Sequence, residues 1–165
     1  MLRRLTALFA ARGAPAGRPD GPRAEDPSFA AAALLVEAAM MDQDFCEREL
    51  EVVRRRLGAR FRLPPPAVEA LIAAARREVA ASAQLHPYAR AVREHLGPEE
   101  RIELIEMLWE VAYADGVLDE FEASLLRRVA GLIHVSDRDS ALARRRVLRR
   151  RERAGERSGR EGEHE

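Results

Sequence analysis

The sequence predicts an all-α protein of about seven helices. Apolar residues recur at spacings of three and four, and alternation of the kind a strand needs is absent. The 47% apolar share is rich in alanine, which suits closely packed helices, and aromatic residues make up only 5%. Helix-capping residues, prolines and glycines fall between the periodic stretches, where helices start and stop. A chain of 165 residues suits one domain of ordinary size.

Residues 1–11 fit a short amphipathic segment, with Met1, Leu5, Leu8 and Phe9 on one side and Arg3 and Arg4 elsewhere. One or two such turns would hold a membrane surface only weakly. The apolar part is short and Arg12 follows at once, so a signal peptide is not expected. Residues 12–25 are a Pro/Gly/Arg linker. The helical domain, 26–150, opens at Asp26-Pro27, an N-cap followed by proline at the first helical position. A first helix over 27–41 has Phe29, Ala33, Val36 and Met40 as inward candidates, and a second over 46–59 has Leu50, Val53 and Leu57. Pro64, Pro65 and Pro66 break the chain before a third helix over 65–85, with Val68, Leu71, Ile72, Ala75 and Val79 facing in. His86-Pro87 leads into a short fourth helix over 88–95, and Gly97-Pro98-Glu99 starts the fifth.

The fifth and sixth helices lie in 99–130, EERIELIEMLWEVAYADGVLDEFEASLLRRVA. Ile102, Ile105, Trp109 and Ala112 form one apolar stripe and Leu104, Leu108 and Val111 a second, so the fifth helix is expected to be buried on most of its surface. Gly116 can supply the left-handed turn that stops it. Asp119 with Glu122 forms a capping box for the sixth, whose expected apolar face is Leu118, Phe121, Leu125, Val129 and Leu132. Ser136 with Asp139 opens a seventh helix holding Ala141, Leu142, Val147 and Leu148. From Arg151 the composition turns to Arg, Glu and Gly, which predicts a disordered charged tail over 151–165.

The wording ADGVLDEFE, after a buried helix and before ASLLRRVAGLI, resembles the TerB-like family, the tellurite-resistance type of domain. A related domain occurs in membrane-anchored DnaJ-type co-chaperones. The resemblance covers roughly 29–140 and is densest over 110–133. It implies a compact all-helical domain with an acidic site, and it implies no reaction.

A shift of 73 residues aligns two helix–turn–helix units. Glu37, Ala39, Asp42, Glu47, Glu49, Arg54, Arg55 and Gly58 fall on Glu110, Ala112, Asp115, Glu120, Glu122, Arg127, Arg128 and Gly131. Eight identities over 22 positions exceed what this composition gives by itself, and predict two similar hairpins about a pseudo-twofold axis.

The duplicated turns carry the candidate chemistry. Asp115, Asp119 and Glu122 are hard oxygen ligands of the kind Ca²⁺ and Mg²⁺ prefer, with Asp42, Asp44 and Glu49 as weaker counterparts. The spacing is not that of an EF-hand. The same residues also suffice as caps and turn closers with no ligand bound. A catalytic reading finds no nucleophile elbow, phosphate-binding glycine loop or zinc-ligand cluster, so an enzyme is not expected.

All 28 basic residues are arginine, matched by 28 acids. Residues 1–24 hold five arginines and one acid (+4), 25–137 hold 13 and 21 (−8), and 138–165 hold ten and six (+4). The run RRRVLRRRER, 144–153, lacks interleaved aromatics and adjoins an acidic body, so nucleic acid is not an expected partner. Cys46, the one cysteine, lies in an acidic run that disfavours a reactive thiolate and suits a reducing compartment. The expectation is a cytoplasmic module that binds a protein partner, with at most weak peripheral association with a membrane.

Overall fold

The computed structural model describes residues 25–40, 46–82, 84–116, 118 and 120–161. Among these there are seven helices and no strand: α1 (Pro27–Ala39), α2 (Glu47–Phe61), α3 (Pro65–Ala81), α4 (Leu85–His95), α5 (Pro98–Ala112), α6 (Glu120–Leu132) and α7 (Asp137–Glu161). The segment 1–11 and linker 12–24 lie outside the described residues. No helix among the described residues is long and apolar enough to cross a membrane.

Helix α1 is the axle. Eleven of its 13 residues are buried, and it packs against α2, α3, α4, α5 and α6. A helix apolar on every side is stable only when ringed by others, and Ala30 to Ala33 let those neighbours come close. Its start is tied down by Asp26, whose Oδ1 accepts from the Ser28 amide (2.8 Å) and hydroxyl (2.6 Å). The rings of Phe29 and of Tyr88 on α4 pack edge-to-face, their centroids 6.1 Å apart.

The predicted caps set most of the other boundaries. Glu100 closes the start of α5 by accepting from the Gly97 amide (2.8 Å). Ser136 and Asp139 exchange hydrogen bonds at the start of α7. Helix α4 begins at Leu85, three residues earlier than expected, because Pro87 then falls in the first turn, where a missing N–H costs nothing. Helix α6 ends with His134 in the left-handed conformation (φ 58°), and Val135 donates back to the Ala130 carbonyl (2.9 Å). Arg93 and Arg101 donate to the carbonyls of Leu132 and Ile133 at that same end.

Helix α7 differs from expectation in two ways. Its inward residues are Ser140, Ala143 and Val147, while Leu142 is 37% exposed and Ala141 is also outside. Trp109 of α5 sets this rotation. Its buried indole N–H needs an acceptor and finds Ser140 Oγ at 3.2 Å. Arg144 then lies over the Trp109 ring at 5.1 Å and donates to the Tyr113 hydroxyl at 2.7 Å. The helix also continues past Arg151, where composition predicts loss of order, as far as Glu161. On α6, Leu125, Leu126, Val129 and Ala130 are buried, whereas Phe121 is 72% exposed.

Filling a position on α1 is therefore more damaging than emptying one on α7. Ala32→Leu is expected to destabilise the protein by about 1–3 kcal/mol through overpacking. Leu142→Ala is expected to shift stability by less than about 0.5 kcal/mol. Urea unfolding followed by circular dichroism separates the two, and equal effects would show that α1 is not the enclosed helix.

Candidate functional site

The two acidic turns leave the ends of α1 and α5 and enter α2 and α6. Helices α1 and α5 end at Ala39 and Ala112, and α2 and α6 begin at Glu47 and Glu120, both 73 residues apart. In the second turn the Tyr113 carbonyl accepts from the Gly116 amide (3.1 Å), and Gly116 takes φ 97°, a region that glycine enters without strain. Asp115 is exposed at this turn, while Glu122, in the first turn of α6, is only 3% exposed. The two described members of the candidate set thus stand outside and inside the same turn. Asp119 lies outside the described residues, as do Asp42 and Asp44.

Glu49 holds the position in α2 that Glu122 holds in α6 and is equally buried at 3%. Its Oε2 accepts from the Cys46 amide (3.0 Å), which is half of a capping box. Cys46 is a half-buried free thiol at the helix start. Among the described residues no group of three or more His, Cys, Asp or Glu side chains is gathered closely enough to hold a metal ion.

A second polar assembly, which the sequence does not announce, runs along α5. Glu110 accepts from Arg55 and Arg56 of α2, and Glu106 accepts from Arg146 and Arg150 of α7. Both carboxylates are mostly covered, with side chains 16% and 14% exposed. The signal for it was the i, i+4 pair Glu106/Glu110 opposite two arginine runs, but only the fold shows that these meet. A groove of about 710 Å³ opens beside Glu110, between α2 and α7. A smaller concavity of about 310 Å³ lies farther along α5, beside Glu103 and Glu106.

The family model described as tellurite resistance protein TerB matches residues 28–145. The chain belongs to the TerB family. No curated protein and no solved structure matches it. The TerB match spans α1 from its second residue through α6 and the start of α7, so both acidic turns, Glu106 and Glu110 lie within it, while Arg146 and Arg150 lie just beyond. The kinship to the DnaJ-type domain remains a resemblance in sequence.

Glu37, the counterpart of Glu110, sits in a different setting. It is half-buried on α1 with no ion pair among the described residues, and burial raises its pKa above the usual carboxylate value of 4.5. Burial also raises Tyr88 on α4, with the charges of Glu78 and Glu37 adding to the effect. A carboxyl whose folded pKa is raised favours the native state when protonated, and ionising it costs stability as pH climbs from 4.5 through the raised value. Glu37→Gln is therefore expected to be more stable than the parent at neutral pH, with the gain vanishing below pH 4.5. Melting both proteins across pH checks this; a gain that persists in acid would assign it to packing. Glu110→Ala, which removes the acceptor of two partly exposed guanidiniums, is expected to cost about 0.5–1.5 kcal/mol. Glu94→Ala, which breaks an open-surface pair with Arg90, is expected to leave the urea midpoint unchanged.

Proposed function

We propose that this TerB chain is a non-enzymatic interaction module in a stress response, and that its α5–α6 turn takes a divalent cation through Asp115, Asp119 and Glu122. The observation that carries the reading is the placement of Glu122, a buried carboxylate at the foot of a turn whose outer end bears Asp115. Carboxylate oxygens suit Ca²⁺ or Mg²⁺, and a cation held there would fix the segment joining α5 to α6. Ala114, one residue before Asp115, lines the groove between α2 and α7, so ordering the turn alters a surface open to a protein partner. The weaker set, Asp42, Asp44 and Glu49, is the corresponding candidate in the first turn, on the view that the two hairpins are a duplicated unit. That view is supported by the common offset of their ends and by the packing of α1 on α5, α1 on α6 and α2 on α5.

A second reading, a ligand-free adaptor, is favoured by Glu49. Its hydrogen bond to the Cys46 amide accounts for a buried carboxylate at the equivalent position with capping alone. The non-enzymatic reading is supported by the histidines. His86, His95 and His134 are exposed at helix ends, and His95 Nδ1 is bonded to the Ala91 carbonyl of its own helix at 2.9 Å. The single cysteine supports a cytoplasmic setting, and residues 1–11 are the segment through which weak association with a membrane surface would occur.

Calorimetric titration of chelator-stripped protein with Ca²⁺, Mg²⁺ and Mn²⁺ decides between the two readings. Micromolar binding that disappears in Asp115→Asn/Asp119→Asn is the expected result. Absence of heat and of any melting shift with all three cations would leave the adaptor.

A further inference from the structure

The two halves of the fold cover their first helices differently. Helices α3 and α7 begin at Pro65 and Asp137, 72 residues apart, so the common offset reaches the third helices to within one residue. Helix α3 packs on α1 and α2, and α7 packs on α5 and α6. The chain is thus two runs of three helices, with α4 between them. Helix α4 lies on α1 and α6, and burying Leu85, Tyr88, Ala89, Ala91 and Val92 is how it is held there.

In the second run, the helices that correspond to α1 and α6 are α5 and α2. No described helix covers that pair as α4 covers its own. The strip of α1 that includes Phe29, Ala30, Ala33 and Glu37 corresponds to Ile102, Glu103, Glu106 and Glu110 of α5. Phe29, Ala30 and Ala33 are at most 2% exposed, whereas Ile102 and Glu106 are half-buried and Glu103 is exposed. Arginine side chains reaching in from α2 and α7 bridge the strip, and the two concavities of about 710 and 310 Å³ flank it.

The larger groove has the make-up of a seat for a helix. Its apolar floor includes Val52, Ala114, Val147 and Ala154. Of its acids, Glu110 is held by Arg55 and Arg56, while Glu47 and, at 3.9 Å, Glu51 share Arg54 with Glu69 and point largely to solvent on the outer side of α2. Arg48 on the α2 wall makes no ion pair among the described residues. Arg151 on the α7 wall makes no ion pair among the described residues; its guanidinium lies 5.9 Å from the Tyr113 ring and beside Gly116. An apolar floor between two walls that each carry an uncompensated guanidinium fits an apolar stripe flanked by carboxylates. Basic or neutral helices lack the charge to match it.

We propose that the groove between α2 and α7 is a docking site for an acidic amphipathic helix of a partner protein, which lies against α5 where α4 lies against α1. The groove borders the α5–α6 turn at Ala114 but none of its lining residues belongs to the candidate cation set, so its test is run in chelator throughout and its failure is distinguishable from failure of the cation reading. The probe is a synthetic peptide of about 16 residues, four helical turns, with leucine at helical spacing and glutamate beside it. It is titrated into the full chain by NMR, next to a version with lysine for every glutamate. The glutamate peptide is expected to shift the amides of Val52, Ala114, Val147 and Ala154. It is also expected to bind at least tenfold more tightly than the lysine version, and to weaken at least tenfold in Arg48→Glu/Arg151→Glu. Both arginines are exposed, so the variant retains the fold, and its unperturbed amide spectrum verifies this. Equal binding of the two peptides, binding unaffected by the double reversal, or no binding of the glutamate peptide would each overturn the proposal.

Discussion

A helix with almost no polar face imposes a condition on everything around it. Helix α1 offers solvent little beyond Glu37 and the two ends, so its burial requires neighbours on all sides, and α2 to α6 supply them. Because Ala30 to Ala33 project so little, those neighbours approach closely, and the interior has small tolerance for added volume. The condition also fixes where polar groups sit. Asp26 is needed at the buried entry of α1 to satisfy amides that no earlier turn can reach, and Glu37 lies toward its other end, where burial works against its charge.

Helix α7 is held by a different kind of contact. Its apolar contribution is little more than Ala143 and Val147, and the rest is polar and directional: Trp109 to Ser140, Arg144 over Trp109, and Arg146 and Arg150 on Glu106. The absence of lysine reads at first as compositional bias, and for many exposed arginines it needs no other account. Arg144 is a particular case. A planar guanidinium stacks on the indole while its Nε donates to the Tyr113 hydroxyl, and an ammonium has neither the plane nor the second donor geometry.

Much of the fold was legible because helix ends are local. Asp26-Pro27, Gly97-Pro98 and Ser136/Asp139 mark their boundaries through contacts within four residues, and the TerB wording lies across one such boundary. What was not legible depends on residues far apart in sequence. The run PSFAAAALLVEAA has no polar face, which calls for enclosure, but the inward candidates read from spacing were only Phe29, Ala33, Val36 and Met40, and the wide buried face was expected on α5. Phe121 and Leu142 read as inward because they are apolar, yet the rotations of α6 and α7 leave them exposed. On α7 that rotation follows the Trp109–Ser140 bond, 31 residues apart. In the candidate site, the alignment of Glu49 with Glu122 was legible in sequence, and their equal burial emerged only in the structure. The distinction between capping and ligation was not legible, since both call for a carboxylate at the third helical position.

Taken as a duplicated unit, the two three-helix runs show how one helix position can be filled by different chemistry. On α1 the strip is apolar and α4 seals it; on α5 it is acidic and arginines reach across it. Glu37 and Glu110 mark the contrast, since one carboxylate at equivalent positions is raised in pKa by burial and the other gathers guanidiniums. An apolar strip left without a covering helix would be a liability in water, whereas an acidic strip under arginines is compatible with exposure. Among the described residues the second half therefore has no covering helix, and the exposed guanidiniums of Arg48 and Arg151 are what the proposed partner helix would meet there.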